Sequence, residues 1–205
     1  MVLAKNNFPI ETPLKFIDNR KNSTMTPANW LTFGRLVVAP IVLFFFLFGD
    51  EKIKILGLVL FALGAISDFW DGYIARRTKT SYWGKLWDPI ADKTLSGFAL
   101  VALSMMKLLP WWITIALIFR DVIVTIIRIV KIQQGKGIII PVFLAKLKTT
   151  FELIMLTALL SWAALISKPM SQTAEKIIVI YASIVVLLSW TTGIHYVRIA
   201  MSKKS

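Results

Sequence analysis

Apolar residues in this chain gather into six stretches of about the 20 residues that a helix needs to cross hydrocarbon. They are roughly Trp30–Phe48, Ile53–Ile74, Leu86–Leu109, Trp111–Val130, Thr149–Ile166 and Ile177–Val197. The breaks between them carry turn-forming or polar residues: Gly49-Asp50-Glu51, Pro110, Gly135-Lys136-Gly137 and Ser167-Lys168-Pro169. The pattern predicts an all-α, polytopic membrane protein with six transmembrane helices. No second domain, internal repeat or low-complexity tract interrupts it. The expected organisation is an N-terminal cytoplasmic or interfacial arm over 1–28, a helical domain over 29–200 and a short cytoplasmic tail over 201–205.

Composition sharpens this reading. The 205 residues are 57% hydrophobic and 17% charged, against about 45–50% and about 25% in soluble domains. A basic disordered tail would be poor in apolar residues, and a soluble nucleic-acid binder would set its basic residues over an ordinary core, so no nucleic-acid partner is expected. Cysteine is absent, which removes disulfides, thiolate nucleophiles and Cys metal sites. The arm Met1–Pro27 is too polar for a signal-peptide core and lacks an obvious cleavage site, so it is expected to be retained. Phe8, Ile10, Leu14, Phe16 and Ile17 among its lysines and arginines would suit an interfacial helix, which Pro9 and Pro13 oppose.

The formal net charge of +13 is distributed unevenly. Eighteen of the 24 Lys+Arg fall in the N-terminal segment through Arg35, in Arg76–Lys93, in Arg128–Lys148 and at the C-terminus. The opposite loops hold only Lys52, Lys54, Lys107, Lys168 and Lys176. By the positive-inside rule both termini face the cytoplasm, in a multi-pass protein of the inner (cytoplasmic) membrane whose basic face meets anionic lipid.

Acids inside such segments are costly, at roughly 2.5–3.5 kcal/mol each near a helix centre, and call for a function. Of seven Asp, four cluster at the cytoplasmic ends of segments two and three: Asp68, Asp71, Asp88 and Asp92. At helical spacing Asp68, Asp71, Gly72 and Ala75 share one stripe, and Gly84, Asp88 and Asp92 another. A short turn would make the two helices antiparallel neighbours and let the carboxylates converge. Singly, such residues could be caps or interfacial groups. Together, unpaired, they would repel, and divalent cations resolve the repulsion. Hard oxygen donors without His or Cys suit Mg²⁺ or Mn²⁺, and two such ions could clamp a diphosphate. The lone histidine, His195, lies far from this cluster in sequence and reads as a headgroup contact or a satisfied helix residue.

The segment D68-F-W-D71-G72-Y-I-A75-R76, a seven-residue spacer and G84-K-L-W-D88-P-I-A-D92 resembles the signature of the CDP-alcohol phosphatidyltransferase family, D-x-x-D-G-x-x-A-R then G-x-x-x-D-x-x-x-D. All eight signature positions match, and the six-helix layout extends the resemblance over most of the chain. The resemblance implies a cytoplasm-facing active-site cavity in which a substituted phosphate passes from a CDP-linked donor to a hydroxyl, releasing CMP. It implies that Asp68, Asp71, Asp88 and Asp92 hold two metals, that Asp92 is also the general base, and that Asp68, Gly72, Ala75, Arg76 and Gly84 border CDP. A homodimer is likewise implied.

The acceptor must be read outside the signature. Arg120, Asp121 and Arg128 lie in segment four, and Lys146, Lys148, Thr149 and Thr150 lie where segment five begins. Asp121 and Arg128, seven apart, could form an ion pair, while the basic residues together would suit a phosphate on the acceptor. As mere topology signals they would need no ligand, although Arg120 near mid-segment resists that reading. N29-W-L-T32-F-G-R35 with Pro40, F119-R-D-V-I-V-T-I-I-R128 and K146-L-K-T-T150 resemble the glycerol-phosphate branch of the family. That branch implies CDP-diacylglycerol and sn-glycerol 3-phosphate as substrates and Arg120, Arg128, Lys146 and Lys148 as acceptor-phosphate residues. Sister enzymes taking phosphatidylglycerol, inositol, inositol phosphate or serine share the signature. A transporter is the competing class, but no inverted repeat is visible.

Overall fold

A computed structural model of the chain describes residues 27–74, 82–133, 143–166 and 169–202, with side chains over 33–67, 90–91, 93–127, 129–130, 147–166 and 169–198. The described residues form six α-helices and no strand: α1 Pro27–Phe48, α2 Glu51–Ile74, α3 Tyr82–Met105, α4 Trp111–Gln133, α5 Phe143–Leu165 and α6 Gln172–Ser202. Each apolar stretch has become one helix. The largest differences are at α5, which starts six residues before the stretch, and α6, which runs five residues past it at each end. Lys146 and Lys148 therefore lie inside α5 rather than at its start. Two windows, Leu147–Leu165 and Gln172–Arg198, are long and apolar enough to cross a membrane by length and composition.

The ends follow local chemistry. Asp50 caps α2 by accepting from the Ile53 amide at 2.9 Å, and Ser171 does the same for α6 through the Ala174 amide at 3.3 Å. At the C-terminus of α3, Lys107 adopts φ 61°. Its amide donates to the Ser104 carbonyl at 3.0 Å, and the Leu108 amide donates to Leu103 at 2.9 Å. This is a Schellman closure, with lysine where glycine is usual, and Pro110 then prevents continuation. Pro40 inside α1 removes one backbone hydrogen bond without ending the helix.

Packing is built around α1, which lies against α3 most extensively and against α2 next. The helix α4 joins α3 to α6, while α5 bridges α2, α3 and α6. The core combines Val42 and Phe46 of α1, Phe61 of α2, Leu100 and Leu103 of α3, Leu117 of α4, Leu156 and Leu160 of α5 and Val185 of α6. Between α3 and α4, the buried Ser104 and Thr114 hydroxyls meet at 2.6 Å, so neither is left unsatisfied.

Outward faces are apolar too. Phe33, Val37, Ile41, Phe44 and Phe48 of α1 are exposed at helical spacing, as are Leu56, Val59, Leu63 and Ile66 of α2. Ile115, Phe119, Val122 and Ile126 form such a stripe on α4, and Ile177, Ile180, Ile184 and Leu187 on α6. Soluble proteins do not surround themselves with continuous apolar stripes; lipid-facing helices do.

The left-handed Lys107 turn makes a direct prediction. A side chain there costs on the order of 1 kcal/mol, so Lys107→Gly should leave thermal stability in detergent equal or slightly higher, whereas the β-branched Lys107→Ile should lower it. A glycine variant that is the less stable of the two would contradict the assignment of the turn.

Candidate active site

Helices α2 and α3 carry the acidic motif. A Cβ placed on Gly64 would lie 2.7 Å from Leu95 Cδ2, so the tip of Leu95 occupies the space that the glycine leaves on α2. The seven joining residues, 75–81, can span at most about 25 Å, less than the roughly 36 Å length of α3, so the helices run antiparallel. Continued by one helical turn, the 64-to-95 register brings the backbone of Asp68 level with Ala91 and Asp92, and that of Asp71 level with Asp88. The side chains of Asp68, Asp71, Asp88 and Asp92 and the surroundings of Gly72 and Gly84 lie outside the described residues, as do Ala75 and Arg76 entirely. As a donor set, four carboxylates on two antiparallel helices fit hard divalent cations such as Mg²⁺ or Mn²⁺.

One turn deeper, a cavity of about 70 Å³ opens between α1, α2, α3 and α5. Its lining includes Arg35, Gly64, Ala65, Lys93, Ser96 and Glu152. Gly64 precedes Asp68 by four residues and Ser96 follows Asp92 by four, so on both helices the cavity continues the face that bears the aspartates. Arg35, 8% exposed, contributes from α1.

Beside the cavity, the carboxylate of Asp121 on α4 gathers three cations. It accepts from Arg120 Nη1 at 2.8 Å and from Lys148 Nζ at 3.0 and 3.3 Å, and Lys93 Nζ stands 3.6 Å away. Arg120 directs two further donors to α6: Nε donates to the Ser189 carbonyl and Nη2 to Thr192 Oγ1, each at 2.9 Å. Gly193 makes room for this reach, since a Cβ there would press on Arg120 Nε at 3.1 Å. Lys148, 1% exposed, also pairs with Glu152 one turn along α5 at 2.5 Å. One cluster thus links α3, α4, α5 and α6.

Sequence reading anticipated part of this arrangement. Arg120 and Lys148 do converge, yet each is engaged with protein acceptors. Asp121 pairs with Lys93, Arg120 and Lys148, the Arg120 side chain folding back onto its neighbour. The side chains of Arg128 and Lys146 lie outside the described residues. Glu152 was missed altogether. It is an acid inside an apolar segment, four residues after a lysine, and the reasoning that singled out the aspartates applies equally to it.

Comparison with known proteins decides the family. The family model described as CDP-alcohol phosphatidyltransferase matches residues 25–202. The chain belongs to this family. The resemblance read from the eight signature positions is therefore borne out. A Mycobacterium tuberculosis (strain H37Rv) protein named probable phosphatidylglycerophosphate synthase is 34% identical over 179 residues, covering 85% of this chain and 81% of that protein. The Bacillus subtilis (strain 168) CDP-diacylglycerol–glycerol-3-phosphate 3-phosphatidyltransferase is 34% identical over 145 residues, 64% of this chain and 75% of that one. A Drosophila melanogaster protein named probable cardiolipin synthase (CMP-forming) is 38% identical over 108 residues, 52% of this chain and 33% of that one.

The Asp121 cluster predicts a ranked cost. Asp121→Leu strips counter-charge from two buried cations and should destabilise the protein by about 3–5 kcal/mol, while Asp121→Asn keeps a hydrogen-bond acceptor and should cost less. Thermal unfolding in detergent reads the difference, and equal losses would show that the negative charge is not what holds the cluster.

Proposed function

We propose that the protein is a membrane-embedded phosphatidyltransferase that joins CDP-diacylglycerol to sn-glycerol 3-phosphate, giving phosphatidylglycerophosphate and CMP. The family match over residues 25–202, with relatives of that name along most of the chain, carries the reading. Its place is phospholipid biosynthesis. The shared 108 residues with a protein named cardiolipin synthase favour, as a second reading, a family enzyme that takes phosphatidylglycerol as acceptor.

In this reading Asp68, Asp71, Asp88 and Asp92 hold two divalent cations, Mg²⁺ or Mn²⁺, which when bound neutralise the diphosphate of the donor. Asp68, Gly72, Ala75, Arg76 and Gly84 border the CDP moiety, with the Arg76 charge available to the phosphates. Asp92 takes the proton from the acceptor hydroxyl. The acceptor oxygen then bonds to the phosphorus that carries diacylglycerol, and the bond from that phosphorus to CMP breaks. Most of the rate enhancement comes from positioning and charge neutralisation, as is general for phosphoryl transfer.

Arg120, Arg128, Lys146 and Lys148 receive the acceptor phosphate. Arg120 and Lys148 form the inner wall, fixed by Asp121, and Arg128 and Lys146 stand nearer the helix ends. Six helices cross the cytoplasmic membrane with both termini and the active site on the cytoplasmic side. The apolar outer stripes of α1, α2, α4 and α6 and the one-sided basic residues support this. Pairing of two copies through such stripes would give the homodimer.

Purified protein supplied with CDP-diacylglycerol and glycerol 3-phosphate should release CMP only with a divalent cation, and Asp92→Asn should lose nearly all turnover. A panel adding phosphatidylglycerol, inositol, inositol phosphate and serine tests the acceptor; turnover with one of these and none with glycerol 3-phosphate would refute the choice. Because the chain has no cysteine, single cysteines map topology without background. In intact cells, cysteines at positions 51 and 108 should react with an impermeant thiol reagent, and cysteines at 20 and 204 should not.

A further inference from the structure

Glu152 is 3% exposed, and its Oε1 accepts no hydrogen bond among the described residues. Its other oxygen, Oε2, is taken by Lys148. A buried carboxylate oxygen without a donor is costly, which argues for a ligand that supplies the donor. The residue lines the 70 Å³ cavity, as do the cationic Lys93 and Arg35. The space admits several water-sized groups, the scale of a small polar substituent. A hydroxyl group is the chemistry that matches both walls: it donates to a carboxylate and accepts from a cation.

The position fits an acceptor. Gly64 and Ala65 precede Asp68 by four and three residues on α2, and Ser96 follows Asp92 by four on α3, so the cavity begins one turn, about 5.4 Å, below the acidic motif. An acceptor whose reacting hydroxyl stands at Asp92 would project the group on its next carbon toward this floor.

We propose that Glu152 is a specificity-determining residue that reads the non-reacting hydroxyl of a small polyol phosphate, the hydroxyl on the carbon next to the one that attacks. This rests on the phosphatidyltransferase reading above. It makes the cavity a selector for acceptors with two adjacent hydroxyls. A site built to pair with a hydroxyl rejects the analogue lacking it, because the buried carboxylate is then left unpaired.

The test compares glycerol 3-phosphate with 3-hydroxypropyl phosphate, which keeps the reacting hydroxyl and the phosphate but lacks the middle one. With CDP-diacylglycerol as donor, the wild type should favour glycerol 3-phosphate in kcat/KM by on the order of tenfold or more. In Glu152→Met, which keeps the side-chain length but no acceptor oxygen, the ratio should fall to within about twofold of unity. Should that variant fold poorly, Ala65→Val narrows the same cavity without touching a charge and should shrink the ratio in the same direction. A wild-type ratio near one, or a ratio that neither variant moves while glycerol 3-phosphate is still turned over, overturns the assignment of Glu152 alone. A purely structural Glu152 would lower both rates equally and leave the ratio where it was. Failure of the wild type to turn over either acceptor overturns the choice of glycerol 3-phosphate as acceptor and this inference with it.

Discussion

The Asp121 carboxylate is the constraint on which the interior depends. Lys93, Arg120 and Lys148 reach it from three helices, and Arg120 extends the tie to the Ser189 carbonyl and Thr192 hydroxyl on a fourth. Between apolar helices in an apolar surrounding, hydrophobic burial hardly distinguishes one arrangement from another, so directional contacts must choose among them. A charge cluster that closes only when α3, α4, α5 and α6 stand in one register performs that choice. It also fixes Lys93, the residue following Asp92, and so ties the acidic end of α3 to the rest of the bundle.

Close approach is the second requirement, and it rests on two glycines. Gly64 admits Leu95 against the α2 backbone, and Gly193 admits the Arg120 stem against α6. The first seats Leu95 of one motif-bearing helix against the other; the second lets a long cation cross to its acceptors while remaining buried. A methyl group at either position would displace the Leu95 tip or the Arg120 stem.

Much of this was legible in sequence because hydropathy runs and their punctuation report helices directly. Gly49-Asp50, Pro110 and Ser167-Lys168-Pro169 marked three of the breaks, and four aspartates in 25 residues marked the motif. Helix ends were less legible: α5 begins at Phe143, before its lysines, because Lys148 finds Asp121 and Glu152 inside the bundle and so need not stay outside it. Partner choice was not legible at all. Spacing rules pair residues three, four or seven apart on an ideal helix and say nothing of adjacent residues such as Arg120 and Asp121. The flexible Arg120 side chain evades that rule by bending back. Nor does an apolar run say which neighbour it will face, so the dominance of α1 against α3 had no signature in the chain. Glu152 had one, but it was hidden by attention to aspartate.

The Lys148–Glu152 pair lies within one helix, and so does Arg120–Asp121. For a chain read as membrane-spanning, this bears on biogenesis. Each of α4 and α5 brings its own counter-ion, so each can leave the insertion machinery with these buried charges already neutralised and at a fraction of the cost of a bare cation. Only afterwards, when the two helices meet, does Lys148 also take up Asp121. The order of events is thereby built into the spacing: local pairs permit entry, and the added contact across the interface joins the helices.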